Sequence, residues 1–482
     1  MTQAPRILLN GVPVTLEGVS AATTLLDWLR EHAGLRGTKE GCAEGDCGAC
    51  TVVLERRDAA GGVAREAINA CLAMVGQLDG IGVRTVEGLA APDGRLHPVQ
   101  AAFGAGGATQ CGFCTPGFVM AAYAFAVGGE AAETALIHDA LAGNLCRCTG
   151  YRPIVAAVAS VAPLAADPIR QGPGEIAAAL DGLADGAACF EDGGSRFHVP
   201  RTLAEAAALR AQYPQAHLLA GGTDLGLLAS RQRERLERVV HLGKVAELNR
   251  LEVRPDGLVI GAAVTYARAF APLIAVYPEL EIYLTRLGSR QIRNMGTIGG
   301  NIGTASPIGD FLPVLLAVDA RIALHSAARG RREVAADAFF AGYRQTALAP
   351  DELIADIALP SRAPGTVFFV DKLSKRRDQD ISTVCGAYRL LLEQGIVRDV
   401  RIAYGGLAAT PKRALAAEAA LRGRAFTEAT ASAAAAALAA DFQPISDWRG
   451  SAAYRMAAAG NLLRRLQLRV TGATAAIEVD AL

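Results

Sequence analysis

The sequence has no excess of charge of either sign. Lys and Arg together number 48, Asp and Glu number 48, and the formal net charge is zero. A balance this even, with no basic stripe, recommends neither nucleic acid nor an anionic membrane as a partner. The opening residues, MTQAPRILLN, lack an apolar segment of signal-peptide length. No uninterrupted apolar run is long enough to span a bilayer. The expected setting is the reducing cytoplasm, away from any membrane. Against these absences stand 482 residues, 51% of them hydrophobic. That is material for roughly two to four domains.

What the chain has instead is clustered cysteine. Eight of its ten cysteines lie between Gly41 and Gly150, in two groups of four. Cys42, Cys47, Cys50 and Cys71 follow a C-x4-C-x2-C…C pattern. This is the plant-type spacing for a [2Fe–2S] cluster held by four thiolates. Glycines are interleaved in GCAEGDCGAC, where a chain wrapping a cluster needs positive φ and close backbone approach. Cys111, Cys114, Cys146 and Cys148 form a C-x2-C…C-x-C pattern. Cys146 and Cys148 cannot share one face of a regular helix, so a turn or helix start is needed there. Thr115 and Pro116 read as an N-cap and first helical residue, with Cys111 and Cys114 in the loop before them.

Other readings of the eight thiols stand beside the iron–sulfur one. Disulfides need an oxidising compartment, and no secretory segment is visible. Zinc could use either foursome, the second especially, as in a non-catalytic scaffold. Cys189 and Cys385 fit neither group and read as buried or incidental.

Along the chain, residues 1–88 read as a small β-rich domain. Asn10-Gly11 is a hairpin signal, a helix is expected at 23–32 capped by Thr23 or Thr24, and strands at 51–54 and 67–74. Residues 89–166 carry helical patterns at 98–104, 116–127, 133–142 and 153–162. So small a helical unit would draw much of its folding free energy from metal. Residues 167–194 read as a surface linker with a short helix near 175–180. A further domain, 195–365, opens with a Thr202/Glu205 capping box before a helix at 203–213. A strand at 216–220 runs into Gly221-Gly222, and a second glycine-rich stretch covers 297–310. Residues 366–482 show strands at 367–372, 381–392 and 397–407, then helices at 430–440 and 454–468, the last with a basic end. The expected class is α+β multidomain. The two glycine-rich stretches could cradle a pyrophosphate, though neither is G-x-G-x-x-G.

CAEGDCGACT, TQCGFCTPGF and NLCRCTGYRPI resemble the iron–sulfur half of the xanthine dehydrogenase family of molybdenum hydroxylases. LLAGGTDLG, TIGGNIGTASPIGD and KLSKRRDQDIS resemble the two FAD segments and the flavin-edge loop of the same family. The resemblance implies a β-grasp ferredoxin-like domain, a four-helix [2Fe–2S] domain, a two-lobed α+β FAD domain and a C-terminal α+β domain. It implies that Leu218, Leu219, Ala220, Gly221, Gly222, Thr223 and Leu225 wrap the FAD pyrophosphate and ribityl region. Thr297, Gly300, Asn301 and Thr304 would do so from the other side. Asp310 would accept from sugar hydroxyls, Ile354 would pack on the cofactor, and Lys372 would sit near the isoalloxazine. Leu287 stands where well-known members stack an aromatic ring, a departure that removes that contact. Tyr343 would lie near the nicotinamide pocket. Asp378, Gln379 and Asp380 would govern whether NAD⁺ approaches.

By the same resemblance, electrons would pass from the Cys111 cluster to the Cys42 cluster, then to FAD and NAD⁺. A molybdopterin-binding large subunit is implied as partner, in a heterotetramer of two copies each, with Gln110 touching the pterin. The fused order of domains favours xanthine dehydrogenase. A hydroxylase of another N-heterocycle or of an aldehyde is the runner-up.

Overall fold

The computed structural model describes residues 4–58, 60–165, 167–168, 172–183 and 188–472. Asn10 and Gly11 both take positive φ, as a two-residue hairpin turn requires. They join Arg6–Leu9 to Val12–Thr15. The first sheet runs Val12–Thr15, Arg6–Leu9, Ile81–Arg84, Thr51–Arg57, Val63–Asn69. Its one parallel pair is Arg6–Leu9 with Ile81–Arg84. Helix Leu25–Glu31 covers the sheet, capped by Thr24, whose Oγ1 accepts from the Asp27 N–H. Leu25, Leu29, Val52 and Ile68 share its core. This is the β-grasp arrangement. The strand expected to reach residue 74 ends at Asn69. Cys71 therefore sits in the turn just beyond it.

Four helices follow: Pro98–Ala105, Thr115–Val127, Thr134–Leu141 and Arg152–Ala159. Phe103, Phe118, Tyr123, Ile137 and Ile154 form their common core. The second helix begins one residue earlier than expected. Cys114, not Thr115, is its N-cap. Thr115 instead places its Oγ1 2.8 Å from Thr109 Oγ1.

The stretch read as a linker is more structured than its composition suggests. Helix Pro173–Asp181 packs Ile176 and Leu180 onto the four-helix core. Strand Ala188–Asp192 already pairs with Ser195–Val199. The next sheet thus starts inside the stretch, because two alternating segments around Gly193-Gly194 close a hairpin.

That sheet runs Ala188–Asp192, Ser195–Val199, Arg238–His241, His217–Leu219. The capping box forms as expected: Thr202 Oγ1 accepts from the Glu205 N–H and Glu205 accepts from the Thr202 N–H. A second lobe has the order Leu251–Arg254, Gly257–Gly261, Leu353–Pro360, Arg321–Ser326, Gly330–Ala335. Of the short helices Leu280–Thr285, Arg290–Met295 and Ile298–Thr304, Arg290–Met295 packs against strand Val63–Asn69 of the first sheet.

The last domain is the sheet Thr366–Leu373, Val384–Glu393, Ile396–Gly405, Lys412–Arg413, backed by Leu415–Leu421, Glu428–Asp441 and Ala452–Val470. The alanine-rich helix buries Ala431, Ala434 and Leu438. The middle strand starts at Val384 rather than 381, which leaves Ser382 free of the ladder and aimed at Asp310. The basic end of the final helix reaches back to the first strand of its own sheet. Arg465 and Arg469 both donate to Asp371 Oδ1, at 3.1 and 3.0 Å. Among the described residues no helix is long and apolar enough to cross a membrane.

Candidate functional site

The first cysteine group closes on itself in two pairs. Cys42 neighbours Cys47, and Cys50 neighbours Cys71. The loop aims three N–H groups at Cys42 Sγ: Glu44 at 3.4 Å, Asp46 at 3.3 Å and Cys47 at 3.3 Å. The Cys47 side chain and these amides bring the Cys42 thiol down to about 5. The same thiol–thiol contact, with burial, pushes Cys47 up. The arrangement stabilises a thiolate. Gly48 takes a φ of +66, and a Cβ there would run into the Gly143 carbonyl, so the loop depends on glycine at this point.

The second group also forms two pairs, Cys114 with Cys146 and Cys111 with Cys148. Burial and the Cys146 contact push Cys114 up to about 12. Thr149 donates its N–H to Cys146 Sγ at 3.4 Å. Cys111 and Cys148 are exposed, as are Gln110 and the apolar Phe113, Leu145 and Tyr151 beside them. Among the described residues no three His, Cys, Asp or Glu side chains gather around a point for a single ion. Four thiols per group is the number a [2Fe–2S] cluster takes.

The flavin-type residues converge from three elements. The turn after His217–Leu219 carries Ala220 to Leu225, and a Cβ on Gly221 would meet the Met295 carbonyl. Thr297 caps helix Ile298–Thr304, its Oγ1 accepting from the Gly300 N–H at 3.0 Å. Thr304 Oγ1 donates to the Gly300 carbonyl at 2.7 Å. Asn301 keeps a buried Oδ1 with no partner among the described residues, an acceptor a bound group could satisfy. Lys372 Nζ lies 2.6 Å from Asp310 Oδ2, and Ser382 Oγ donates to Asp310 Oδ1 at 2.6 Å. Ile354 is buried at the same core, with Leu287 half-buried against it.

Tyr343 is 63% exposed, at the tip of a turn. Its neighbour Arg344 reaches Asp224 at 3.9 Å, which brings the turn to the first glycine loop. Asp378 is exposed, whereas Gln379 is buried at a φ of 49 with neither side-chain amide atom paired. The loop holding them faces the first cysteine loop. Burial is the main reason the Asp46 carboxyl is raised, while Arg376 acts on it in the opposite direction.

The flavin-type domain grips that cysteine loop directly. Ser230 Oγ donates to the Ala43 carbonyl at 2.8 Å and Arg231 to the Cys42 carbonyl at 3.3 Å, while Asn294 donates to the Ala67 carbonyl of the neighbouring strand at 2.8 Å. A cavity of about 150 Å³ lies between the first sheet and the flavin-type domain, lined by Arg56 and Glu66 on one side and Gly221 and Thr297 on the other.

Four family models match in sequence order. Residues 7–76 match a 2Fe-2S iron-sulfur cluster binding domain and 85–159 a [2Fe-2S] binding domain. Residues 190–362 match the FAD binding domain in molybdopterin dehydrogenase, and 371–470 the CO dehydrogenase flavoprotein C-terminal domain. The chain is 32% identical to xanthine dehydrogenase/oxidase of Gallus gallus over 87% of its length and 36% of the relative's. It is 33% identical to xanthine dehydrogenase 1 of Arabidopsis thaliana over 83% and 35%. It thus spans about a third of the length of these curated relatives. A solved carbon monoxide dehydrogenase chain from Hydrogenophaga pseudoflava superposes with a TM-score of 0.53 at 35% identity, over 56% of this chain and 94% of that one. The chain belongs to the molybdenum hydroxylase family.

A quinoline 2-oxidoreductase chain from Pseudomonas putida 86 is also similar, at 27% identity and a TM-score of 0.52, over 58% of this chain and 96% of that one. This molybdenum hydroxylase chain carries two [2Fe–2S]-binding domains and one FAD-binding domain, the make-up of an electron-transfer polypeptide.

Several residues around Asp310 and Lys372 carry no signal in the sequence. Arg286 donates to the Lys372 carbonyl at 3.1 Å and accepts from Lys372 Nζ at 3.0 Å through its own carbonyl. Tyr283 donates to the Asp310 carbonyl at 2.5 Å and lies 2.8 Å from Cys385 Sγ. Cys385, read as buried or incidental, is buried and donates to the Asp310 carbonyl at 3.4 Å, while Cys189 is half-buried on an outer strand. Only the nearness of TRLGSRQIRN to the second glycine stretch could have drawn attention to this segment.

Proposed function

We propose that this chain is the electron-transfer part of a xanthine dehydrogenase. Its eight clustered cysteines hold two [2Fe–2S] clusters, and the residues gathered around Gly221, Gly300, Asp310 and Lys372 hold FAD. When bound, these groups supply one-electron relays and a two-electron flavin. The chain's own residues bind and orient them. Electrons enter at the exposed Cys111–Cys148 side from a molybdopterin centre on a partner polypeptide, in an assembly of two copies of each. They leave at the flavin edge to NAD⁺, past Tyr343, Asp378 and Gln379, as hypoxanthine or xanthine is oxidised to urate. The eight closely set thiols suit the reducing cytoplasm.

The observation that carries this reading is coverage. Similarity to xanthine dehydrogenases runs over more than four-fifths of the chain, and the chain carries both cluster domains and the flavin domain in one polypeptide. The solved carbon monoxide dehydrogenase and quinoline 2-oxidoreductase chains match little more than half of it. The latter likeness favours, as second reading, a hydroxylase of another N-heterocycle. Material purified with its natural partner should contain iron, flavin and molybdenum and reduce NAD⁺ when given xanthine. Turnover with quinoline or an aldehyde but not with xanthine would select the second reading.

A further inference from the structure

We propose that Asn144 and Gln291 are positioning residues that fix the separation of the two cysteine groups, with a single backbone hydrogen bond as the bridge between them. The proposal rests on reading both groups as cluster ligands. The Leu145 N–H donates to the Cys47 carbonyl at 3.0 Å. Leu145 adjoins Cys146, so ligands of different groups are joined through two stretches of backbone and one hydrogen bond.

Around that bond lies a buried polar network with one member from each domain. Asn144 Nδ2 donates to the Gly48 carbonyl at 2.9 Å and to Thr51 Oγ1 at 3.1 Å. Thr51 Oγ1 donates to the same carbonyl at 2.7 Å. Gln291 Nε2, from the flavin domain, donates to Asn144 Oδ1 at 2.8 Å and stands 3.4 Å from Thr51 Oγ1. Thr51, Asn144 and Gln291 are 1%, 3% and 0% exposed. The Gln291 amide fills the space a side chain on Gly143 would take.

Buried amides are costly unless bonded; Gln291 is bonded through Nε2 while its Oε1 has no partner among the described residues, and the bonds that do form specify one geometry where apolar packing would accept several. Here that geometry is the placement of the Cys47–Gly48 peptide against the Asn144–Leu145 peptide. Electron transfer depends steeply on path, so this contact is where precision matters. The step itself is simple. One electron moves, the second group's cluster is oxidised by one, the first group's is reduced by one, and no bond or proton changes hands.

The test uses the full chain with its clusters, as Asn144→Ala, Gln291→Leu and Thr51→Val, with Thr51→Ser as the conservative control. Two readouts report on separation and coupling. One is the spin–spin splitting of the two reduced clusters in low-temperature EPR. The other is the rate of equilibration between them after rapid partial reduction. The three disruptive variants should keep both EPR signals, lose or narrow the splitting, and equilibrate several-fold more slowly, while Thr51→Ser matches wild type. Unaltered splitting and rate with both clusters present overturn the proposal. If Asn144→Ala or Thr51→Val loses a cluster, Gln291→Leu, further from the cysteines, decides by the same two readouts. A wild-type chain without iron would instead sink the cluster reading itself, and this proposal with it.

Discussion

Lys372 is a buried ammonium answered by one carboxylate, Asp310, and one carbonyl, that of Arg286. Removing either charge strands the other, which costs about 3–5 kcal/mol in a buried pair. Lys372→Met should therefore lower FAD content and stability together, while both iron–sulfur EPR signals persist. Released flavin per chain and a thermal melt check this; normal flavin content would refute the role. His241 makes a pH prediction. Burial, reinforced by Lys244, Arg56 and Arg201, holds its imidazole down to about 3. The unfolded chain binds the proton at the ordinary value near 6.5, so stability is greatest above that pH and declines as pH falls toward 3. The slope is about 1.4 kcal/mol per pH unit. Denaturant titrations at pH 7 and 5.5 should show this loss, and His241→Phe should reduce it. At this scale the cysteines and glycines were legible because their chemistry is local. Arg286, Tyr283 and Ser382 were not, since nothing but a partner distant in sequence gives them a task.

Helix Arg290–Met295 is only six residues long, yet it holds three domains together. Arg290 pairs with Glu130 and Asp139, and Arg293 with Asp139 at 2.6 Å, joining the flavin domain to the four-helix domain. Asn294 reaches the first sheet. Asp139→Asn would leave two guanidinium groups with weaker acceptors, at a cost of about 1–3 kcal/mol. Amide exchange should then speed up in residues 134–141 and 290–295 and stay unchanged in 384–405. Equal exchange throughout would show that the ion pairs do not join the domains. The Leu203–Gln212 helix was foreseen from its capping box, and the Asn10-Gly11 hairpin from its turn. Both signals lie within a few residues. A six-residue helix of mostly polar residues has no such period, and its meaning comes from the surfaces it meets. The Ala188–Asp192 strand was hidden for a related reason: Gly193-Gly194 reads equally as linker or hairpin until the paired strand is seen.

For the molecule as a whole, the order of domains could be read from the sequence, because each motif is compact and distinctive. How the domains contact one another could not. Those contacts join groups far apart in sequence, such as Ser230 with the Ala43 carbonyl, Gln77 with the Ala220 carbonyl and Arg290 with Glu130. The Ser230 and Arg231 bonds have a further consequence. The loop that would close around iron is also part of the surface on which the flavin domain rests. Ordering that loop with metal and seating the flavin domain then favour each other by the same amount, since coupling between two binding events is reciprocal. A cell short of iron would accumulate a polypeptide that is poor at keeping its vitamin-derived cofactor too, and riboflavin starvation would in turn loosen the chain's hold on iron.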